Sequence, residues 1–177
     1  MNLTRILALL ALTPLLHACV TQPKTADDLR NDVKRNAVFA SHDQFEVKKP
    51  YRQVSETVKK RWMECFDTRT AGSYVSSGSM GGMPGTISSV TYIYTPTSNV
   101  TSARTELALQ QRAKATGLYT PGGPPPDGFF IMVTDIYPAG NNATRVDIQK
   151  RIVGFGDVMK VVRQWAEGTG TGCPTLQ

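Results

Sequence analysis

The sequence predicts an α+β fold. About five to six strands form a mainly antiparallel sheet, packed on one face by two amphipathic helices, in the order β-α-β-β-β-β-β-α. Three observations predict it. Val54, Val58, Trp62 and Cys65 recur at helical spacing after a short alternating segment. Val158, Val161, Val162 and Trp165 form a second such stripe near the C-terminus. Between them lie segments of period two joined by turn residues, the pattern of consecutive hairpins.

The N-terminus reads as an export signal. Arg5 precedes an apolar run from Ile6 to Leu16, broken by Thr13 and Pro14. That run is too short to span a bilayer, which needs about 20 residues. A basic start, a short apolar stretch and a small residue before the cut describe a secretory signal over 1–18. Leu16-His17-Ala18-Cys19 resembles the lipobox of bacterial lipoproteins, with histidine an unusual occupant of the second position. The resemblance implies cleavage before Cys19, diacylation of its thiol and acylation of the new amino end. Several acyl chains make a stable membrane anchor where one gives only reversible binding. Val20 rather than Asp after the cysteine favours, by the same resemblance, the outer membrane with the domain facing the periplasm. The competing reading is an ordinary cleaved signal followed by a chance cysteine.

Cleavage leaves 159 of the 177 residues, enough for one domain and a tether. Residues 19–43 carry few large apolar side chains and many charges, among them Asp27, Asp28, Arg30 and Asp32. They read as a lipidated N-terminus and flexible tether, with room for a short helix over 26–35. Residues 44–177 are expected to form a single globular domain.

Phe45 and Val47 alternate with Glu46 and Lys48 as a first strand. Pro50 suits the first turn of the helix that follows and ends near Phe66. Thr68–Ser76 is a strand weakened by Gly72, and Gly78–Gly85 is a glycine-rich loop. Ile87–Thr95 is a strong strand, with a turn over Pro96–Asn99. From Thr101 to Ala113 the chain alternates: Thr105, Leu107 and Leu109 share one face, Arg104, Glu106 and Arg112 the other. Period two favours strand there, although the residue types also suit a helix.

The proline-rich stretch 117–128 excludes helix and strand. Phe129–Tyr137 is apolar on both faces, as a central strand should be, and turns at Pro138–Asn142. Thr144–Ile152 alternates as its hairpin partner. Asp157 can cap the second helix and Gly168 can end it.

With Cys19 assigned to lipid, Cys65 and Cys173 remain. An even pair in an oxidising compartment reads as a disulfide, though two buried free thiols are the alternative. The bond would close a loop of about 108 residues and contribute roughly 4–5 kcal/mol on chain-entropy grounds. It would bring the C-terminal ends of the two helices together.

The lipobox, the strand-helix opening Phe45–Phe66 with its Trp62…Cys65-Phe66 ending, and the closing Val161-Val162-Arg163-Gln164-Trp165-Ala166-Glu167-Gly168…Cys173-Pro174 together resemble small Gram-negative outer-membrane lipoproteins. Over about 44–174 the layout is similar to the helix-grip domains of lipoprotein component C of the barrel-assembly machine. The resemblance implies a helix-grip-like fold and no more.

The chemistry is sparse. His42 is the one histidine of the mature chain and lies at the tether edge, where a surface role is expected. Asp135, Glu106 and Asp147 read as surface or hairpin pairs rather than a catalytic set. The loop 78–85 lacks the Gly-Lys-Ser/Thr ending that cradles phosphate. No enzyme activity, cofactor or metal site is expected.

Trp62 and Trp165 are expected in the core. Tyr92 and Tyr94 share a strand face and, with Arg104 and Arg112 on the next strand, form a candidate binding surface. The other reading packs that face under the helices. Lys59 and Lys60 sit in a basic run on the first helix. Without Arg5, 19 basic residues stand against 14 acids, a net charge near +5. Such a surface suits anionic lipid or an acidic partner, or is a solvated helix face.

The function expected is a membrane-anchored, non-enzymatic binding or envelope-assembly module. Its partner would be an envelope protein or cell-wall component, not nucleic acid. The alternative is a small-ligand or lipid binder using the groove between helices and sheet. A hydrolase of envelope polymers is the remaining alternative.

Overall fold

A computed structural model describes residues 22–76, 86–116, 127–153 and 155–176. The signal segment, Cys19, the whole of the glycine-rich loop 78–85 and the proline-rich stretch up to residue 126 lie outside the described residues.

Among the described residues nine elements follow in order: α1 Ala26–Lys34, β1 Ala40–Val47, α2 Tyr51–Phe66, β2 Thr68–Ser76, β3 Thr86–Val100, β4 Thr105–Thr116, β5 Phe129–Pro138, β6 Thr144–Arg151 and α3 Val158–Glu167. The six strands make one sheet in the order β1-β6-β5-β4-β3-β2, every neighbouring pair antiparallel. The expected fold class is present, with α2 and α3 packed on one face.

The topology sets the length of α2. β1 and β2 are the two edges of the sheet, so the chain between them must cross its full width. Five gaps of about 4.8 Å make roughly 24 Å. The 16 residues of α2, at about 1.5 Å each, span the same distance. β2 to β6 then meander back to pair with β1.

The core lies between this face and the two helices. Trp62 and Phe66 meet edge to face at 4.7 Å, and Phe66 meets Trp165 at 5.8 Å. Val54, Val58, Leu107, Leu109, Ile136 and Ile148 surround them, all fully buried. At the end of α3, Gly168 takes φ +70 and closes the helix with a bond from its amide to the Trp165 carbonyl. Asp157 occupies the N-cap position, but its side chain makes no capping bond.

Three details differ from the sequence-based expectation. The turn expected at Pro96–Asn99 is strand: β3 continues to Val100, with Pro96 opposite Leu109. β2 begins only at Thr68, opposite Tyr94. Beyond that point β3 is an edge, where a residue without an N–H is tolerated. The turn lies at Thr101–Arg104 instead, closed by the Thr101 amide donating to the Arg104 carbonyl at 2.8 Å.

The second difference is the docking of α1. The short helix allowed for over 26–35 forms at Ala26–Lys34, but instead of belonging to a tether it docks on the sheet face opposite α2 and α3, and β1 begins at Ala40. Leu29 is fully buried there with Ala108 and Val133. Thr25 and Asp28 form a capping box. The third difference follows from the second: both faces of the central strands are covered, which is why β5 is apolar on both sides.

Candidate binding groove

The helix side of the sheet is not filled throughout. Beside α3, the connector after β6 and the C-terminal tail arch over β2–β5. They leave an open groove of about 790 Å³. Tyr92, Tyr94, Gln111 and Phe129 form its floor, and Phe155 and Leu176 its walls.

The register explains the floor. Tyr92 and Tyr94 alternate on β3, and Gln111 lies directly opposite Tyr94 on β4. Gln111 Nε2 donates to Tyr94 Oη at 3.1 Å. Burial pushes the Tyr94 phenol above its ordinary value, with hydrogen bonds to Thr70 and Gln111 opposing. Tyr94 is therefore a neutral phenol, able to donate and accept.

The walls come from distant chain. Phe155 packs edge to face on Tyr94 at 5.8 Å, with φ +53. A left-handed backbone at a bulky residue costs about 1–3 kcal/mol and persists only where its surroundings hold it. Lys150 Nζ and the Val158 amide both donate to the Phe155 carbonyl, at 3.1 and 3.2 Å. Burial pushes the Lys150 ammonium below its ordinary value.

The tail is fixed at two points. Cys65 and Cys173 are joined by a disulfide, with Cα atoms 5.3 Å apart. Trp165 Nε1 donates to the Gly172 carbonyl at 2.9 Å. Together they hold Leu176 against the core, 6% exposed.

The candidate surface read from the sequence does not form as one site. Tyr94 is buried and Tyr92 half-buried, both on the groove side. Arg112 pairs in register with Ile93, so it points to the opposite face, and it is exposed. Arg104 also lies on that opposite face, with Nη2 2.9 Å from Glu106. Lys59 and Lys60 lie on α2; Lys60 is exposed and 3.9 Å from Glu64. Trp62 and Trp165 fill the space under the helices, so the groove lies beside that packing rather than within it.

The carboxylates serve packing. Arg30 on α1 donates twice to Asp135, from Nε at 2.9 Å and Nη2 at 2.8 Å, and also reaches Glu106. Burial alone would lower the Arg30 pKa, but its bonds to Asp135 and Glu106 raise it above the ordinary value. Burial pushes the Asp135 carboxyl up while Arg30 opposes. His42 is remote from this pair; its Nε2 lies 2.8 Å from Asp147 on the next strand. Among the described residues, no three His, Cys, Asp or Glu side chains are placed to hold a metal ion. No described helix is long and apolar enough to cross a membrane.

Sequence reasoning missed Gln111, Phe155 and Leu176. Phe155 and Leu176 sit outside any periodic segment. Their only signal was being large apolar residues in connectors rich in glycine and threonine.

No protein-family model matches the chain, and no curated protein does. Among solved structures, a hypothetical protein from Helicobacter pylori aligns with a TM-score of 0.39 and 9% identity, over 78% of this chain and 90% of that one. A START superfamily protein from Mycobacterium smegmatis aligns with a TM-score of 0.33 and 10% identity, over 73% and 94%. Likenesses this remote carry no argument about ligand or activity. The fold assignment rests on this chain's own sheet and helices.

Proposed function

We propose that this chain is a non-enzymatic binding module of the cell envelope, anchored in the outer membrane by lipid on Cys19 and facing the periplasm. Its groove takes a small ligand with an apolar body and one hydrogen-bonding head. The observation that supports this reading is the groove itself: mostly apolar, with a neutral Tyr94–Gln111 pair at its floor. Size and lining match a small-molecule site. A ligand burying about 200 Å² of apolar surface there gains ~5 kcal/mol before the cost of association. The strained Phe155 supports the reading, because such strain clusters at functional sites.

Titration with a fluorescent fatty acid tests it. Saturable one-to-one binding is expected, abolished by Thr70→Trp, which projects into the groove from β2 opposite Tyr92. Absent binding, or binding unchanged by that substitution, would remove the reading.

One observation favours a second reading, an envelope-assembly module with a protein partner. β2 is an edge strand whose Thr70 and Ala71 border the groove, so a partner strand can pair with it. Photo-crosslinking from Thr70 in intact cells separates the two, by yielding a protein adduct or none.

A further inference from the structure

On the face opposite the groove, the half of the sheet not covered by α1 carries a row of cations. Arg69, Ile93 and Arg112 stand side by side across β2, β3 and β4, and Lys114 follows one pair along, opposite Thr91. Arg69, Arg112 and Lys114 are exposed. None of them takes part in the ion pairs formed among the described residues. The basic residues under and around α1 are different: Arg30, Arg35, Arg104 and Arg151 each face a carboxylate.

The acids nearby are few. Asp67 shares an open cavity with Arg69 and Arg112. Asp127 approaches through its backbone, its carbonyl accepting from Gln110 Nε2 at 2.9 Å. Asp27 pairs with Arg30 at 2.6 Å, and the Asp28 carboxylate takes the Thr25 and Lys24 amides of the helix cap.

The chain enters the described structure on this same face. The Phe130 amide donates to the Pro23 carbonyl at 2.9 Å, and Pro23 is buried. Phe130 lies opposite Gln110, two residues before Arg112. Cys19 precedes Pro23 by four residues, a reach of at most about 14 Å. A bilayer holding lipid on Cys19 must therefore run close to the outer face.

We infer that the outer face of β2–β4 docks on an anionic phospholipid surface through Arg69, Arg112 and Lys114, with Ile93 between them. This leaves the groove turned away from the membrane. The inference rests on acylation of Cys19, which the proposed function also uses. Charge complementarity and the short leash both select a membrane. An acidic protein would satisfy the charge but not explain the entry point. Each basic residue near an anionic leaflet adds about fivefold to association, and salt screens it.

The test uses the acylated full-length product carrying Ile93→Trp, in vesicles of phosphatidylglycerol with brominated chains. Bromine quenches a tryptophan at the interface, while the native Trp62 and Trp165 are buried. Quenching at low salt is expected, at least fivefold reduced when Arg69→Glu, Arg112→Glu and Lys114→Glu are combined or when salt reaches 0.5 M (about a 4 Å screening length). Lys60→Trp, on the other side, should stay unquenched. Flotation with the vesicles but no salt-sensitive quenching at position 93 overturns the docking and leaves the anchor standing. So does capture of this face by an acidic protein instead. A product without acyl groups on Cys19 that fails to float overturns both.

Discussion

Arg30 and Asp135, 105 residues apart, meet in a two-point ion pair of 2.8 and 2.9 Å that pins the first helix to the centre of the sheet. Their side chains are 10% and 2% exposed, so neither charge has water to fall back on. Removing one partner of such a pair costs about 3–5 kcal/mol, because the other is left buried and unpaired.

Arg30→Ala should therefore release α1 while the rest of the domain stays folded. Hydrogen exchange of amides 26–34 should rise by about 10²–10³-fold, with β4 and β5 protected as before. The pH dependence has a definite sign. Burial already pushes Asp135 up, and without Arg30 nothing equal opposes it. A carboxyl raised in the folded state stabilises below its ordinary value and loses that contribution as pH rises through the folded pKa. The variant should recover stability towards pH 4 relative to pH 7. A defect independent of pH would speak against a buried, unpaired Asp135 charge as its cause.

Tyr94 should titrate late. Its pKa is raised by burial, so its contribution is present below about 10 and lost as pH rises through the higher folded value. Ultraviolet titration of the six tyrosines should show one that ionises late or only on alkaline unfolding. Tyr94→Phe should remove that step and no other.

Cys65→Ser with Cys173→Ser should destabilise the chain by about 2–5 kcal/mol in denaturant unfolding. Since the bond also places Leu176 on the groove wall, the same variant should weaken fatty-acid binding under conditions where it remains folded. Weakened stability with unchanged binding would mean that the tail does not shape the groove.

Much of this fold is visible in periodicity. The stripes Val54–Val58–Trp62 and Val158–Val162–Trp165 mark the two helices that face the core. Leu107 and Leu109 inward with Glu106 and Arg112 outward identify β4 as strand, against its helix-forming composition. A helix over 26–35 was legible, but its docking on the sheet was hidden, because only Leu29 among its residues is large, apolar and fully buried and much of the docking is ionic. The apolar outer side of β5, where Val133 needs cover, was the available signal.

The candidate site was less legible because side-chain faces depend on register. Placing the hairpin turn at Pro96 rather than Thr101 moves the pairing between β3 and β4, and a one-residue slip exchanges faces. Tyr94 meets Gln111, not Arg112. That single fact separates the tyrosines from the arginines and sends one set to the groove and the other to the outer face. Phe155 and Leu176 complete the groove through tertiary contact, which no local pattern encodes.

The groove claim is tested most directly by intermolecular nuclear Overhauser effects between the chain and bound lauric acid. Contacts from the ligand methylenes to the Tyr92 and Phe155 rings and the Leu176 methyls are predicted. Contacts confined to exposed residues such as Val38 and Phe39, or none at saturating ligand, would contradict it.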